Sequence, residues 1–387
     1  MARVTAAPPR LREIVREWGR IGCLGFGGPP VHISMLRELC VERRRWLDPV
    51  WFEHALAAVN ILPGPASTQL CIYCAWRLRG YRGAIAGGLA FILPGLVAIL
   101  ALSALFLAGS PPDWVRGAGL GAGAAVAAIA VRAGLEIGVP LWLRTPASRH
   151  VRIAAYALAG GIVAAITGPW LVLVILACGL IELALEHGAA PTPRALRAHA
   201  WPLLAAAADP GGLGSLVWTA LKVGALSFGG GFVIVPLMQA DAVGTYHWMT
   251  HAQFLNAVAL GQVTPGPLVH TVAAMGYAAG GLGWGVLAAL VAFLPSFSFV
   301  LIGARRFERL LADRRVQSFM AGAAPAAAGA IAGSAVPLAL AIGEGWQVPL
   351  LAGAGVALLV LRWPIVATLL GCGAIGALAA VLGAPLG

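Results

Sequence analysis

The chain has 387 residues, of which 60% are hydrophobic and 11% charged, and its mean hydropathy is +0.86. Soluble domains sit at about 45–50% apolar and about 25% charged, so an ordinary soluble protein is excluded. The net charge of +11 does not point to nucleic acid: the arginines lie in short loops between apolar runs, where membrane proteins keep their cytoplasmic loop charge.

The N-terminal stretch MARVTAAPPRLREIVREW puts charges where a signal peptide carries its apolar run. No cleavable signal is expected. No long polar segment follows, so no soluble domain is expected either. A short apolar piece first runs to Phe26-Gly27-Gly28, and a second of similar length ends at Trp46. A third enters Pro63-Gly64-Pro65, and a fourth leaves it through Ala66, Ser67, Thr68 and Gln69. Proline inside a helix removes a backbone donor and costs about 3 kcal/mol, so this is a deliberate break. Cys71 and Cys74 form a lone C-x-x-C in the fourth piece. Without a second pair or neighbouring histidines they read as small packing residues rather than a metal or redox site.

An apolar run over Gly83–Ala108, interrupted by Pro94, is long enough to cross a bilayer. Further spans are predicted over 115–131, 151–167 and 169–186. Arg132 and Glu136 are four apart, the spacing of a helical ion pair. A fourth crossing would have to come from the short stretch AWPLLAAAADPGG. Beyond the second half's broken pieces, Ala321–Ile342 and Trp363–Leu382 are again long and apolar. Strand-like alternation is absent, which argues against a β-barrel.

The chain repeats itself. Adding 202 carries Phe26-Gly27-Gly28 to Phe228-Gly229-Gly230, Trp46 to Trp248, and Pro63-Gly64-Pro65 to Pro265-Gly266-Pro267. One residue then drops out, and Pro94 aligns with Pro295. The direct match spans about 10–110 and 212–310, each followed by further spans. The short pieces are about 12–16 residues, or about 18–24 Å as helix, against a hydrocarbon core of about 30 Å. They read as half-helices meeting near the membrane midplane.

Charge placement gives the halves opposite orientations. In the first, arginines flank the short pieces (Arg10, Arg12, Arg16; Arg43, Arg44, Arg45; Arg77, Arg79, Arg82), and the loop AGSPPDW after the long span has no basic residue. In the second, GTYHWMTH and AAGGLGWG lack arginine and lysine, and residues 305–315 carry five arginines. By the positive-inside rule one half is inverted. The expected fold is an all-α polytopic membrane protein with two inverted-topology repeats, its broken or re-entrant helices meeting near the midplane. Its divisions are 1–187, a connecting segment 188–211, and 212–387.

Broken helices at membrane depth belong where they line a cavity, and transporters use them as binding sites. A half-helix beginning in the membrane presents unpaired N–H groups and about half a positive charge, an anion site. Candidate ligands are Ser67, Thr68 and Gln69 after the first Pro-Gly-Pro, His270 and Thr271 after the second, and the backbone of both Phe-Gly-Gly breaks. Arg20 and Lys222 each lie six residues before the phenylalanine. Asn60 and Gln262 each lie three before Pro-Gly-Pro. Both pairs repeat and join the candidate set.

At GFGGPPVHISMLRE, RRRWL, NILPGPASTQL and FILPG, and again at LKVGALSFGGGFVIVPL, ALGQVTPGP and FLPSF, the sequence resembles the chromate ion transporter family in its long two-domain form. The resemblance implies a multi-pass bacterial inner-membrane exporter of chromate, coupled to proton exchange, that confers chromate resistance. Sulfate or another tetrahedral oxyanion is the alternative cargo, and an anion channel the alternative mechanism. Such proteins carry several glutamates after each tryptophan. Here only Asp48 and Glu53 follow Trp46, none follows Trp248, and Asp241 is the one acid before it. The proton-coupling candidates are therefore His32, Glu38, Glu53 and Asp241, with His247, His251 and His270 as substitutes because histidine titrates near neutrality. No cofactor, nucleotide-binding or nucleophile motif is present, so neither an enzyme nor an ATP-driven pump is expected. Glycine- and alanine-rich runs such as GAGLGAGAAVAAIA could pack against a second copy in a homodimer.

Overall fold

The computed structural model describes residues 9–61, 64–107, 111–166, 170–187, 211–227, 234–303 and 313–386. These residues form helices joined by turns and loops and contain no strand. Five helical stretches are long and apolar enough to cross a membrane: Ala66–Phe106, Asp113–Arg144, Ala147–Ile166, Leu282–Gly303 and Arg314–Leu340. The protein is a multi-pass membrane protein.

The first half opens with α1 (Leu11–Leu24), which stops at Gly25. Pro29 begins α2 (Pro29–Arg37), which widens into a π-helical turn over Glu38–Arg43. Proline suits a first turn because its missing N–H has no intrahelical partner there. After α3 (Pro49–Ile61) the chain turns at Gly64 and enters α4 (Ala66–Phe106). Arg79 and Gly80 leave helical geometry within α4. A Cβ on Gly87 would lie 2.7 Å from Ala75 Cβ, and one on Gly88 3.0 Å from Ile72 Cγ1. The short segment before Gly80 is therefore folded back on the long one after it, a helical hairpin. The remaining spans are α5 (Asp113–Ala124), α6 (Val126–Arg144), α7 (His150–Ile166) and α8 (Leu171–His187).

The second half comprises α9 (Leu213–Leu226), α10 (Ile234–Gln239) with a π-helical turn over Ala240–Thr245, and α11 (His251–Val263). A 3₁₀ turn over Leu268–His270 leads into α12 (Thr271–Gly280) and α13 (Leu282–Gly303). Then follow α14 (Arg314–Gly333), α15 (Ala335–Leu340), α16 (Gln347–Gly355) and α17 (Ile365–Val381).

The sequence repeat is a backbone repeat. Both π-helical turns fall at the same offset of 202 residues. Arg45 (φ 50°) matches His247 (φ 53°), a conformation uncommon outside glycine. Gly64 (φ 117°) matches Gly266 (φ 93°), where only glycine turns without strain. Gly80 (φ 59°) matches Gly281 (φ 80°) at the hinge of each helical hairpin.

The repeat also reaches further than the motifs. A Cβ on Gly121 of α5 would strike the Cys372 carbonyl of α17, and one on Gly322 of α14 would strike the Cys178 carbonyl of α8. The two contacts are counterparts, so α5 and α14 correspond, as do α8 and α17. Each half thus lends a span to its neighbour's last helix. Glycine and alanine at these seams let backbones approach closely, but they form no distinctive motif.

Two sequence expectations change. The span predicted over 115–131 is longer, running through a turn at Ala125 from Asp113 to Arg144. The crossing sought in AWPLLAAAADPGG falls mostly outside the described residues. The spans predicted over 151–167 and 169–186 appear as α7 and α8, and Arg132 pairs with Glu136 at 2.8 Å as the spacing anticipated. Cys71 and Cys74 are fully buried free thiols. The indole N–H of the fully buried Trp18 donates to the Cys71 carbonyl at 2.9 Å, tying α1 to the short segment of α4.

Candidate functional site

The breaks of the two halves meet. The Gly25 carbonyl, left free where α1 ends, accepts the Gly266 backbone N–H at 3.0 Å. His32, 0% exposed on α2, reaches the same carbonyl with Nε2 at 2.8 Å. A carbonyl only accepts, so Nε2 carries the proton, and in the neutral ring Nδ1 accepts from the Ser67 hydroxyl at 3.4 Å. On the other side, a Cβ on Gly64 would lie 3.5 Å from the Gly224 carbonyl near the end of α9. Each Pro-Gly-Pro turn thus rests against the first helix of the opposite half.

The short segment of α4 begins at Ala66 with Pro65 as its cap and no side-chain cap. In its first turn the N–H groups of Ala66, Ser67 and Thr68 have no intrahelical acceptor, whereas that of Gln69 already donates to the Pro65 carbonyl at 3.0 Å. Ser67, Thr68 and Gln69 occupy that turn and are buried at 1%, 0% and 0% exposure. The Thr68 hydroxyl makes no hydrogen bond. In the second half His270 takes the place of Thr68. It is 0% exposed, packs edge-on to Phe293 at 5.2 Å, and sits where a Cβ on Gly95 would come within 2.7 Å of its Cε1. Neither of its ring nitrogens makes a hydrogen bond. Thr271 is satisfied locally, its hydroxyl donating to the Leu268 carbonyl at 2.8 Å. Gln262 keeps a buried Nε2 without a partner, and its counterpart Asn60 is exposed.

The cations fall differently. Lys222 Nζ is 2.5 Å from Asp241 Oδ2, and the Thr219 hydroxyl donates to that oxygen at 2.7 Å. Lys222 is therefore neutralised within the protein. Arg20 is exposed on α1. Its near neighbour Glu17, the counterpart of Thr219, receives Arg43 at 2.9 Å and Arg44 at 3.0 Å. Both halves so clasp the first helix to the π-helical turn, with the charges exchanged: acid on the helix in the first half, base on the helix in the second. Sequence reading missed this clasp because the pairs lie 19–27 residues apart and share no residue type.

Glu53 is exposed and paired with Arg37, and Glu38 is exposed on the first π-helical turn. His247 Nδ1 donates to the Val243 carbonyl at 2.7 Å, and with the exposed His251 it lines a cavity of about 890 Å³ beside Trp248, Gln239 and Ile166. These groups lie away from the meeting point of the breaks. Phe26 is 41% exposed, with Gly27 and Gly28 turning beside it at φ 102° and 77°. Pro65, Gly266 and Pro267 border the meeting point. Pro63, Phe228, Gly229 and Gly230 lie outside the described residues. Among the described residues no cluster of histidine, cysteine and carboxylate side chains could hold a metal ion.

A family model described as Chromate transporter matches residues 12–183 and again 214–377. The chain belongs to the chromate transporter family. The two matches cover both halves to their last helices, as the paired contacts of Gly121 and Gly322 do. Among curated relatives of this family, the chromate transport protein of Pseudomonas aeruginosa is 33% identical over 365 residues, covering 89% of this chain and 85% of the relative. The chromate transport protein of Cupriavidus metallidurans is 32% identical over 346 residues, 87% and 84% of the two chains. A probable chromate transport protein of Synechococcus elongatus is 29% identical over 336 residues, 85% and 84%. No solved structure matches. The family assignment makes this a membrane transport protein.

Proposed function

We propose that this chain carries chromate out of the cell across a bacterial inner membrane, coupled to proton exchange, by alternating access. The observation that supports it most is the Gly25–Gly266 tie. It brings the uncapped helix start after the second Pro-Gly-Pro, with its unpaired His270 ring, to buried His32 and through it to Ser67 at the uncapped start of α4. Unpaired N–H groups at a helix start suit a tetrahedral oxyanion. Arginine-rich loops flank opposite ends of the two halves, which favours opposite orientation and a shared central site. The names of the relatives point to chromate; sulfate, with the same shape and charge, is the expected competitor. Export is downhill electrically: a dianion leaving a negative interior gains about 4.6 kcal/mol per 100 mV, twice the single-charge value.

With Lys222 committed to Asp241 and His32 held as a neutral ring, the site's positive potential comes from the helix starts. Labelled chromate uptake into inside-out vesicles or proteoliposomes, with and without an imposed pH gradient, tests this reading. Saturable uptake that responds to the gradient and is inhibited by sulfate supports it. Non-saturating flux indifferent to the gradient would instead indicate a channel, and no chromate flux would remove the substrate.

A further inference from the structure

The two halves share a backbone plan, yet one pair of matching helices is packed differently. On α3, Glu53, Ala57 and Asn60 form an exposed stripe. On α11 their counterparts are Leu255 and Ala259, 2% and 3% exposed, and the half-buried Gln262. The cover is α5: a Cβ on Gly119 would lie 2.7 Å from Asn256 Nδ2, and one on Gly123 3.1 Å from Leu255 Cβ. Two glycines let α11 seat closely there. The corresponding positions on α14 are Met320 and Ala324, and both remain partly exposed. A stripe carrying glutamate and asparagine does not face hydrocarbon, so it borders water. Arg43, Arg44 and Arg45 lie just before α3 and mark that side as cytoplasmic.

We propose that α3 and α11 are the two gates of the transport cycle, with α11 shut on α5 and α3 standing open to the cytoplasm in this structure. This rests on the transport reading above and names its moving parts. In the opposite state the Glu53–Ala57–Asn60 stripe closes on Met320 and Ala324 of α14 while α11 leaves α5. Ala324, set against Glu53 as Gly123 is set against Leu255, is small enough to allow that approach. The Gly64 and Gly266 turns, next to the far ends of α3 and α11, are the hinges.

Cysteine labelling tests it without any substrate. Cys23 is the one exposed native thiol and is replaced by serine; the other five are buried. In that background Ala57→Cys is expected to react with a membrane-impermeant maleimide in inside-out vesicles at least fivefold faster than Ala259→Cys does from either side. Gly119→Leu fills the seat of Asn256 and is expected to reverse this, exposing Ala259→Cys in right-side-out vesicles and protecting Ala57→Cys. Equal labelling at the two positions, or no change in a folded Gly119→Leu protein, overturns the proposal. If Gly119→Leu does not fold, the pair Glu53→Cys with Ala324→Cys, the counterparts of Leu255 and Gly123, decides. A disulfide that forms on oxidation and exposes Ala259 to alkylation supports the gates; no disulfide overturns them. Labelling that reverses as expected in a protein that moves no chromate would reject the substrate and keep the gates.

Discussion

Gly266 donates its backbone N–H to the Gly25 carbonyl at 3.0 Å, joining the Pro-Gly-Pro turn of the second half to the end of α1 in the first. Both residues are glycine for geometric reasons. Gly266 holds φ 93°, and a Cβ there would also lie 3.0 Å from His270 Cε1. A Cβ on Gly25 would lie 2.5 Å from His32 Cδ2 and 2.7 Å from the Ile21 carbonyl. Gly266→Ala is expected to cost about 1–3 kcal/mol, the range for a residue forced into a sparsely populated conformation. Transport should fall at least tenfold, because the strain sits where the halves meet. Thermal unfolding in detergent and vesicle uptake check the two effects.

The clasps give a second prediction. Asp241 is 7% exposed and depends on Lys222 for its counter-charge. Lys222→Ala alone is expected to destabilise by about 3 kcal/mol, because it strands a buried carboxylate. The double change Lys222→Met with Asp241→Leu should return to within about 1 kcal/mol of the parent, since an apolar pair needs no partner. Arg43→Ala should cost less than about 1 kcal/mol, because Arg43 is exposed and Arg44 still reaches Glu17. A double-mutant cycle on the melting curves measures the difference.

Much of this was written where backbone chemistry is restrictive. Pro-Gly-Pro and Phe-Gly-Gly exclude a continuous helix, so the breaks and their spacing were legible, and so was the Arg132–Glu136 pair. What escaped was set by packing. Gly121 and Gly322 look like any small residues in an apolar run, so the motifs alone end the repeat near 110 and 310. Lys222 looked like a free cation until folding brought Asp241 beside it. Arg20 and Lys222 match in sequence but not in surroundings: one is exposed, the other paired. Asn60 and Gln262 likewise share a register and differ in burial, because only α11 is covered by a neighbouring span.

The C-x-x-C pair yields a third prediction. Cys71 and Cys74 are both 0% exposed inside the short segment of α4. Native protein should therefore show one reactive thiol, Cys23, and denatured protein six. Cys71→Ala with Cys74→Ala should keep transport and lose about 1 kcal/mol per site from the small voids left behind. Thiol titration before and after denaturation reads the first statement. Abolished transport in a well-folded double variant would show that the pair does more than pack.

Thr68 separates binding from folding. Its hydroxyl is fully buried in the first turn of α4 and has no partner. An unpaired buried hydroxyl costs about 1–3 kcal/mol, so Thr68→Val, nearly the same shape, should hold or raise the melting temperature. If the hydroxyl donates to a bound oxyanion, its loss removes about 1.5–3 kcal/mol, and the KM for chromate should rise roughly ten- to a hundredfold. Ser67→Ala breaks a bond to His32 as well, so it should lower stability and transport together. The decisive pattern is a Thr68→Val protein that melts no earlier than the parent and transports far worse at low chromate. An unchanged KM in that protein would remove the first turn of α4 from the binding site.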